Sequence, residues 1–480
     1  MIVSPAFRGK RYAVLGLARS GVATVEALLA SGAKVIAWDS DAAKRDALIL
    51  PGTGRGTTRS VVEGLPLNAR AAIAAGGLPL HHPADGPPPP LGEDLSFADP
   101  LEIDLTGLDG VVVSPGVPLN RHPIAAKARA AGVPIIGDIE LFAQARASLP
   151  AHRVVGITGT NGKSTTTALI THIVETAGIP TLMGGNIGLP ILGRDPLPEG
   201  GVYVLELSSY QIDLTYGLDC DVAVLTNVTP DHLDRYDGFA GYAASKARLF
   251  AMQSECHVAV IATEDDPSRA IADTLTSARA QGERGRGHPD LIRVASTDIA
   301  DQSAWPALQG PHNAQNAAIA IAVARALGIG EAAITEGLAT YPGLPHRMER
   351  VAEKQGVLYV NDSKATNATS TAPALAAYPA IHWILGGLAK TGDLDACAPH
   401  FGHVRAAYTI GDAGEMFAAL LAPHMPVSRA GTLERAVGAA AQAAKPGEVV
   451  LLSPACASFD QFKDYEARGE AFRALVGALA

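Results

Sequence analysis

Cysteine is nearly absent. Four thiols, Cys220, Cys256, Cys397 and Cys456, stand far apart in 480 residues, and no C-x-x-C pair occurs. That excludes a disulfide framework or a zinc knuckle as the organising device, and reduced thiols in a cytoplasm are the simpler expectation. Aromatic residues are only 5% and charged residues 18%, yet 48% of the chain is apolar, which excludes a disordered polymer. There is no basic excess: 38 Lys and Arg against 48 Asp and Glu leave a formal charge of -10. Nucleic acid and anionic membranes both want a basic face, so neither is an expected partner. No uncharged apolar run approaches the ~18 residues of a membrane span. The opening Met1-Ile2-Val3-Ser4-Pro5 meets Arg8, Lys10 and Arg11 with no apolar stretch before them, so no signal peptide is expected.

What is present is a rhythm. Short β-branched runs recur: Tyr12 to Leu17, Lys34 to Asp39, Gly110 to Ser114, Arg153 to Thr158, Val202 to Leu207, Asp221 to Asn227 and His257 to Thr263. Further runs are Val357 to Asn361, Ile381 to Gly386, Ala406 to Gly411 and Glu448 to Ser453. Ala-rich segments of helical length separate many of them. Continuous apolar strands alternating with helices predict an α/β protein with parallel sheets covered on both faces. At about 150 residues per domain, the length suggests three. Leu149-Pro150-Ala151-His152 and Tyr341-Pro342-Gly343-Leu344-Pro345 mark the breaks, giving domains at 1–149, 150–342 and 343–480. The Pro- and Gly-rich stretch from Pro51 to Pro100, which includes His81 and His82, reads as an insertion with little helix, and Gln281 to Pro289 as a second exposed loop.

Chemistry enters at residue 153. Arg153 to Thr158 is a strand candidate; Gly159-Thr160-Asn161-Gly162-Lys163-Ser164-Thr165 follows, then a helix expected from about Thr166 to Ala177. A strand, a Gly-rich turn and a helix N-terminus converge backbone N–H groups on an anion. Lys163 can reach outer phosphates, and the Ser164 hydroxyl can ligate Mg²⁺. The strict Walker pattern needs Gly where Ile157 stands, so this is a variant loop. By itself it says only "nucleotide". Glu206, in Val204-Leu205-Glu206-Leu207-Ser208-Ser209, closes another strand candidate and offers a hard oxygen ligand. Thr226-Asn227-Val228-Thr229-Pro230-Asp231-His232-Leu233-Asp234 closes a third with polar residues. In the first domain, Val14-Leu15-Gly16-Leu17-Ala18-Arg19-Ser20-Gly21 with Asp39 downstream looks like a dinucleotide fingerprint with Ala18 in place of the middle Gly, which suits NAD or another diphosphate equally.

Taken together and in order, these motifs resemble the Mur ligase family. Gly310-Pro311-His312-Asn313-Ala314-Gln315-Asn316 and His346-Arg347 also match its pattern. Two C-terminal signatures, Asn361-Asp362-Ser363-Lys364-Ala365-Thr366-Asn367 and Leu451 to Lys463, point within the family to a D-glutamate-adding ligase, and no Asp-Asn-Pro-Arg motif of a diaminopimelate- or lysine-adding relative occurs. The resemblance implies ATP, D-glutamate and UDP-N-acetylmuramoyl-L-alanine as substrates, two Mg²⁺ sites, an acyl-phosphate intermediate, and a cytoplasmic monomer. It implies that Gly159 to Thr165 with Lys163 hold the phosphates and that Asn313 and Asn316 lie on the adenine side. Arg347 and Asp362 would reach the phosphates and ribose. Mg²⁺ would be held by Ser164, Glu206, His232 and a CO₂-derived carbamate on Lys246, with His232 alternatively orienting the substrate carboxylate. The UDP substrate would meet Leu17, Ala18, Asp39, Ser40, Gly116, Ser208 and His232, with Asn186 touching the pyrophosphate or sugar. Lys364, Thr366, Lys390, Ser458 and Tyr465 would hold D-glutamate. Close members often carry Phe at Tyr465 and Asp before Lys390, where this chain has Ala389. Read on its own residues, Lys246 would be a solvated lysine of an amphipathic helix. Competing readings are a folylpolyglutamate-type or another muramyl-peptide ligase, a regulatory nucleotide switch, and an NAD-dependent oxidoreductase built on the first domain.

Overall fold

The computed structural model describes residues 1–49, 94–231, 233–280 and 290–479. Nearly all of the Pro/Gly-rich insertion, His81, His82, His232 and the loop 281–289 lie outside the described residues. Three sheets organise the chain. The first has strands β1 (Arg11–Leu15), β2 (Lys34–Trp38), β3 (Leu95–Phe97), β4 (Gly110–Val113) and β5 (Ile135–Ile136), in the order β3-β2-β1-β4-β5. The second has β6 (His152–Thr158), β7 (Thr181–Gly185), β8 (Gly201–Glu206), β9 (Val222–Leu225), β10 (Val258–Ala262) and β11 (Asp290–Val294), in the order β11-β10-β9-β6-β8-β7. Every pairing in both is parallel.

The third sheet is mixed. Its strands are β12 (Glu349–Lys354), β13 (Val357–Asn361), β14 (Ile381–Gly386), β15 (Val404–Ile410), β16 (Val427–Gly431) and β17 (Val449–Leu452), in the order β12-β13-β17-β14-β15-β16. Only β12 runs antiparallel, against β13. The two join through Gln355 and Gly356, both in the left-handed region at φ 52 and φ 75. A two-residue turn with positive φ at both positions matches the twist of the flanking strands. At the hairpin's open end the register sets Glu349 against Asn361.

The interior strands β8 and β14 are buried at every position, as strands covered on both faces must be. Around the second sheet the core draws on the helices Lys163–Thr176 and Pro311–Ala326, through Leu169, Ile170, Ile173, Ile319 and Val323. Each such side chain, fully buried, contributes about 1.5–3 kcal/mol. The chain divides into two compact units: 1–149 with 189–196 and 214–217, and the remainder, which contains the second and third sheets together. No helix among the described residues is long and apolar enough to cross a membrane.

Candidate active site

The turn after β6 is a conformation only glycine can adopt cheaply. Gly159 has φ 146 and Gly162 φ 82. A Cβ on Gly159 would fall 1.9 Å from Thr226 Oγ1, and one on Gly162 would fall 2.7 Å from Asn316 Oδ1. The loop is braced by the polar segment after β9: Thr160 N donates to Asn227 O at 2.9 Å, and Asn161 N donates to Asn227 Oδ1 at 2.8 Å. The helix then begins at Lys163, three residues before the sequence pattern suggests, because Gly162 itself turns the chain into it. Lys163 Nζ folds back and donates to Gly159 O at 3.0 Å and Thr160 O at 2.8 Å. Burial lowers its pKa below the usual lysine range; nearby Glu206 opposes that shift and Arg347 adds to it.

Glu206 ends β8 and is 2% exposed. Its Oε1 accepts from Asn186 Nδ2 at 2.9 Å, while Oε2 is buried without a hydrogen-bond partner. An orphaned, buried carboxylate oxygen is costly, and it suits a hard cation. No three His, Cys, Asp or Glu side chains among the described residues group to hold a metal alone, so a cation here would draw its other oxygens from the Ser164 hydroxyl, phosphate and water. Lys246 is not solvated. It sits on the helix Gly238–Ala251 at 1% exposure, with Nζ donating to Gly159 O at 2.7 Å and lying 4.5 Å over the Tyr242 ring. Burial, then the neighbouring Lys163 charge, depress its pKa to about 7 against the pull of Asp231 and Asp213. A large neutral fraction near neutral pH is what reaction with CO₂ requires.

Between the second and third sheets lies an open cleft. Asn161, Gly162, Thr165, Asn313, Asn316, Arg347 and Asp362 all line it. Asn316 Nδ2 donates to Asn313 Oδ1 at 3.1 Å, and Asn316 Oδ1 accepts from Thr166 Oγ1 at 3.1 Å. Arg347 Nη2 donates to Ser164 Oγ at 3.1 Å, so here the hydroxyl faces a guanidinium. Asp362 is buried. It accepts from Ser453 Oγ at 2.7 Å and Met348 N at 3.2 Å, and burial still pushes its pKa up to about 7. The lining residues that carried no assignment from sequence include His312, whose buried Nδ1 has no partner and whose pKa burial lowers to about 4, and Tyr341, whose buried hydroxyl is equally unpaired. The Gly310 to Asn316 motif contained the signal for His312; Tyr341 had none beyond its place at a domain break.

The residues assigned to D-glutamate form two contacts. Lys364 Nζ donates to Tyr465 Oη at 3.1 Å, and Lys390 Nζ donates to Thr366 Oγ1 at 3.3 Å. Ser458 is buried beside the mutual backbone pairing of Leu388 and Ala457. Burial, then the Arg347 charge, lower the Lys364 pKa to about 8; Glu206 opposes this, so Lys364 and the strand end at Glu206 share one field. Arg468, which no sequence pattern marked, lies fully buried behind this group.

In the first unit, Asp39 Oδ2 accepts from Leu17 N at 2.8 Å and from Lys44 Nζ at 3.4 Å. Ala18 caps the helix Arg19–Ala30 without a side-chain bond. Gly16 has φ 97, and a Cβ on Gly21 would lie 1.8 Å from Gly16 O, so both glycines are needed for the turn. Ser40 and Gly116 are exposed. In the second unit, Ser208 bonds the side chain of Gln211, Oγ donating to Oε1 at 3.0 Å.

A parallel α/β scaffold with a phosphate-type loop and an oxygen-rich cleft at its strand ends defines a nucleotide-handling protein. Family models place it further: the Mur ligase middle domain matches residues 157–324, and the Mur ligase glutamate ligase domain matches 346–456. UDP-N-acetylmuramoylalanine--D-glutamate ligase of Novosphingobium aromaticivorans is 61% identical over 479 residues, covering 100% of this chain and 97% of the relative. The protein of the same name from Sphingopyxis alaskensis is 60% identical, covering 100% of each. Among solved structures, the UDP-N-acetylmuramate-alanine ligase of Thermotoga maritima shares the fold at a TM-score of 0.53 and 15% identity, covering 98% of this chain and 99% of that one. This chain belongs to the Mur ligase family.

Proposed function

We infer that this chain uses ATP to join D-glutamate to UDP-N-acetylmuramoyl-L-alanine, in peptidoglycan precursor synthesis. The observation that carries the reading is the bond from Arg347 to Ser164 across one cleft, in a chain that matches ligases of this name along its full length. The region 1–149 would take the UDP half, 150–342 ATP, and 343–480 the amino acid. The reading includes a cytoplasmic monomer with neither nucleic-acid nor membrane partners.

The alanyl carboxylate attacks the γ-phosphorus of ATP. An oxygen–phosphorus bond forms as the bridge to the β-phosphate breaks, leaving ADP and an acyl phosphate. The neutral amine of D-glutamate then attacks the carbonyl carbon, phosphate departs with the electrons of the carbon–oxygen bond, and the nitrogen's surplus proton passes to the departing phosphate or to water. Both steps ask for positioning and charge neutralisation instead of a covalent enzyme group. The loop amides from Gly159 to Thr165 and the Lys163 ammonium supply donors to the β- and γ-phosphates. Arg347 reaches the phosphates, Asp362 faces the ribose, and Asn313 and Asn316 face the base. Leu17, Ala18, Asp39, Ser40, Gly116, Asn186 and Ser208 hold the UDP-muramyl substrate. Lys364, Thr366, Lys390, Ser458 and Tyr465 hold the acceptor's two carboxylates. Mg²⁺ held by Ser164, Glu206, His232 and a carbamate on Lys246 would neutralise a carboxylate and a phosphate that otherwise repel.

The decisive assay is ATP-dependent formation of UDP-N-acetylmuramoyl-L-alanyl-D-glutamate, read by mass spectrometry, with phosphate release followed in parallel. D-glutamate should stimulate both; if L-glutamate serves as well, or if ATP turns over unaffected by any amino acid, the assignment fails.

A further inference from the structure

Among the described residues, Arg468 is the most deeply buried cation outside the sites assigned above. It sits in the first turn of the helix Tyr465–Ala478 at 1% exposure. Its guanidinium meets a hydroxyl and three backbone carbonyls. Nε donates to Ser363 Oγ at 3.0 Å, and Nη2 donates to Ser363 O at 2.8 Å and Cys456 O at 3.0 Å. Nη1 donates to Ala457 O at 3.4 Å. Among the described residues no carboxylate is in direct contact with it; Asp460 and Asp362 act on it only through their charge, so the carbonyls and the hydroxyl take up its donors.

The carbonyls it holds belong to the segments that carry the acceptor residues. Ser363 precedes Lys364, and its Oγ donates to Tyr465 O at 2.8 Å. Ala457 precedes Ser458 and pairs with Leu388, two residues before Lys390. Gly387 leaves room for the guanidinium: a Cβ there would lie 3.2 Å from Arg468 Nη1 and 2.3 Å from Ala457 O. One planar fork therefore ties together the strands' ends bearing Lys364, Lys390, Ser458 and Tyr465. A lysine cannot reproduce that fork, because its ammonium is a single point charge on a flexible stem.

We propose that Arg468 is a positioning residue for the amino-acid acceptor: its fork sets the spacing of the Lys364, Ser458 and Lys390 segments, on which the grip on a ligand bearing two carboxylates depends. This rests on the acceptor assignment given under the proposed function. Burial draws the Arg468 pKa down to about 10, which leaves the group charged at neutral pH.

The test compares Arg468→Lys, Arg468→Gln and Lys364→Met in the full chain, with D-glutamate KM, ATP KM, kcat and thermal midpoint measured for each. The lysine variant keeps charge and loses the fork, so its D-glutamate KM should rise about tenfold, and that of the glutamine variant about 100-fold, with ATP KM moved less than about twofold. ADP binding by calorimetry establishes that each variant is folded. Equal weakening of ATP and D-glutamate, or an unchanged D-glutamate KM in a folded variant, overturns the proposal. If Lys364→Met raises that KM while neither Arg468 variant does, the proposal fails and the acceptor assignment stands. If none of the three moves it, the acceptor assignment fails as well.

Discussion

Arg347 and Ser164 are separated by 183 positions in sequence and by 3.1 Å in space, Nη2 donating to Oγ. The contact brings the segment before the third sheet onto the first turn of the phosphate-loop helix, so a nucleotide bound there would touch both halves of the cleft. Arg347 Nε is buried and has no partner, which leaves it a donor for a phosphate oxygen. Replacing Arg347 with Met should lower kcat/KM for ATP by roughly 100-fold, the usual cost of one donor aimed at developing charge. KM for the UDP-muramyl substrate should hardly move. Steady-state kinetics with each substrate varied in turn would separate the two; a uniform loss across all three substrates would speak against a phosphate role.

Lys246 gives a prediction about pH and CO₂. With its pKa at about 7, the amine that could form a carbamate is mostly neutral above that value and mostly protonated below it. Activity in CO₂-depleted buffer should therefore fall, fall further as pH drops below about 7, and recover on adding bicarbonate. Lys246→Ala should lose about 100-fold in kcat, on the order of 3 kcal/mol of barrier, and short-chain carboxylic acids should restore part of it. A carbamate carbon signal after labelling with ¹³C-bicarbonate would be direct; full activity of the alanine variant without any added acid would end the idea.

Asp362 makes stability depend on pH with a definite sign. Burial raises its pKa from 3.8 to about 7. Between those values the folded chain retains a proton that the unfolded chain has released, so stability falls as pH rises across the window, and the loss is complete above about 7. Asp362→Asn removes the titration. Relative to the parent, it should gain on the order of 2 kcal/mol of stability between about pH 5 and pH 8, while binding ADP more weakly. Denaturant midpoints at the two pH values would show it. A parallel pH dependence in both proteins would place the proton elsewhere.

Interior strands could be read from sequence and edge strands could not. Every run marked by continuous β-branched residues became an interior strand, among them β1, β6, β8, β14 and β17. Those left unmarked, β3, β5, β7, β11, β12 and β16, are the outer strands of the three sheets. The physical reason is coverage. A strand flanked on both sides and packed on both faces must be apolar throughout, whereas an edge strand such as β12 has no buried position and exposes Arg350 and Glu353 to solvent. The site divides in a similar way. Glycines of the phosphate loop carry a backbone requirement that survives in any reading of the sequence. Lys246 and Arg468 do not: each sits in a helix where a cation ordinarily faces water, and only the packing of other segments over them turns them inward.

The Gln355–Gly356 turn bears on catalysis from a distance. It fixes which residue of β12 faces which of β13 beside the turn, a bulge between Arg350 and Ala352 shifts the ladder once, and Arg347 and Asp362 are the chain's continuations past the open end. One added residue at the tip would slide the ladder by a step and turn each side chain to the opposite face. The nucleotide affinity proposed for this cleft is thus partly a matter of counting, decided at a bend outside its lining.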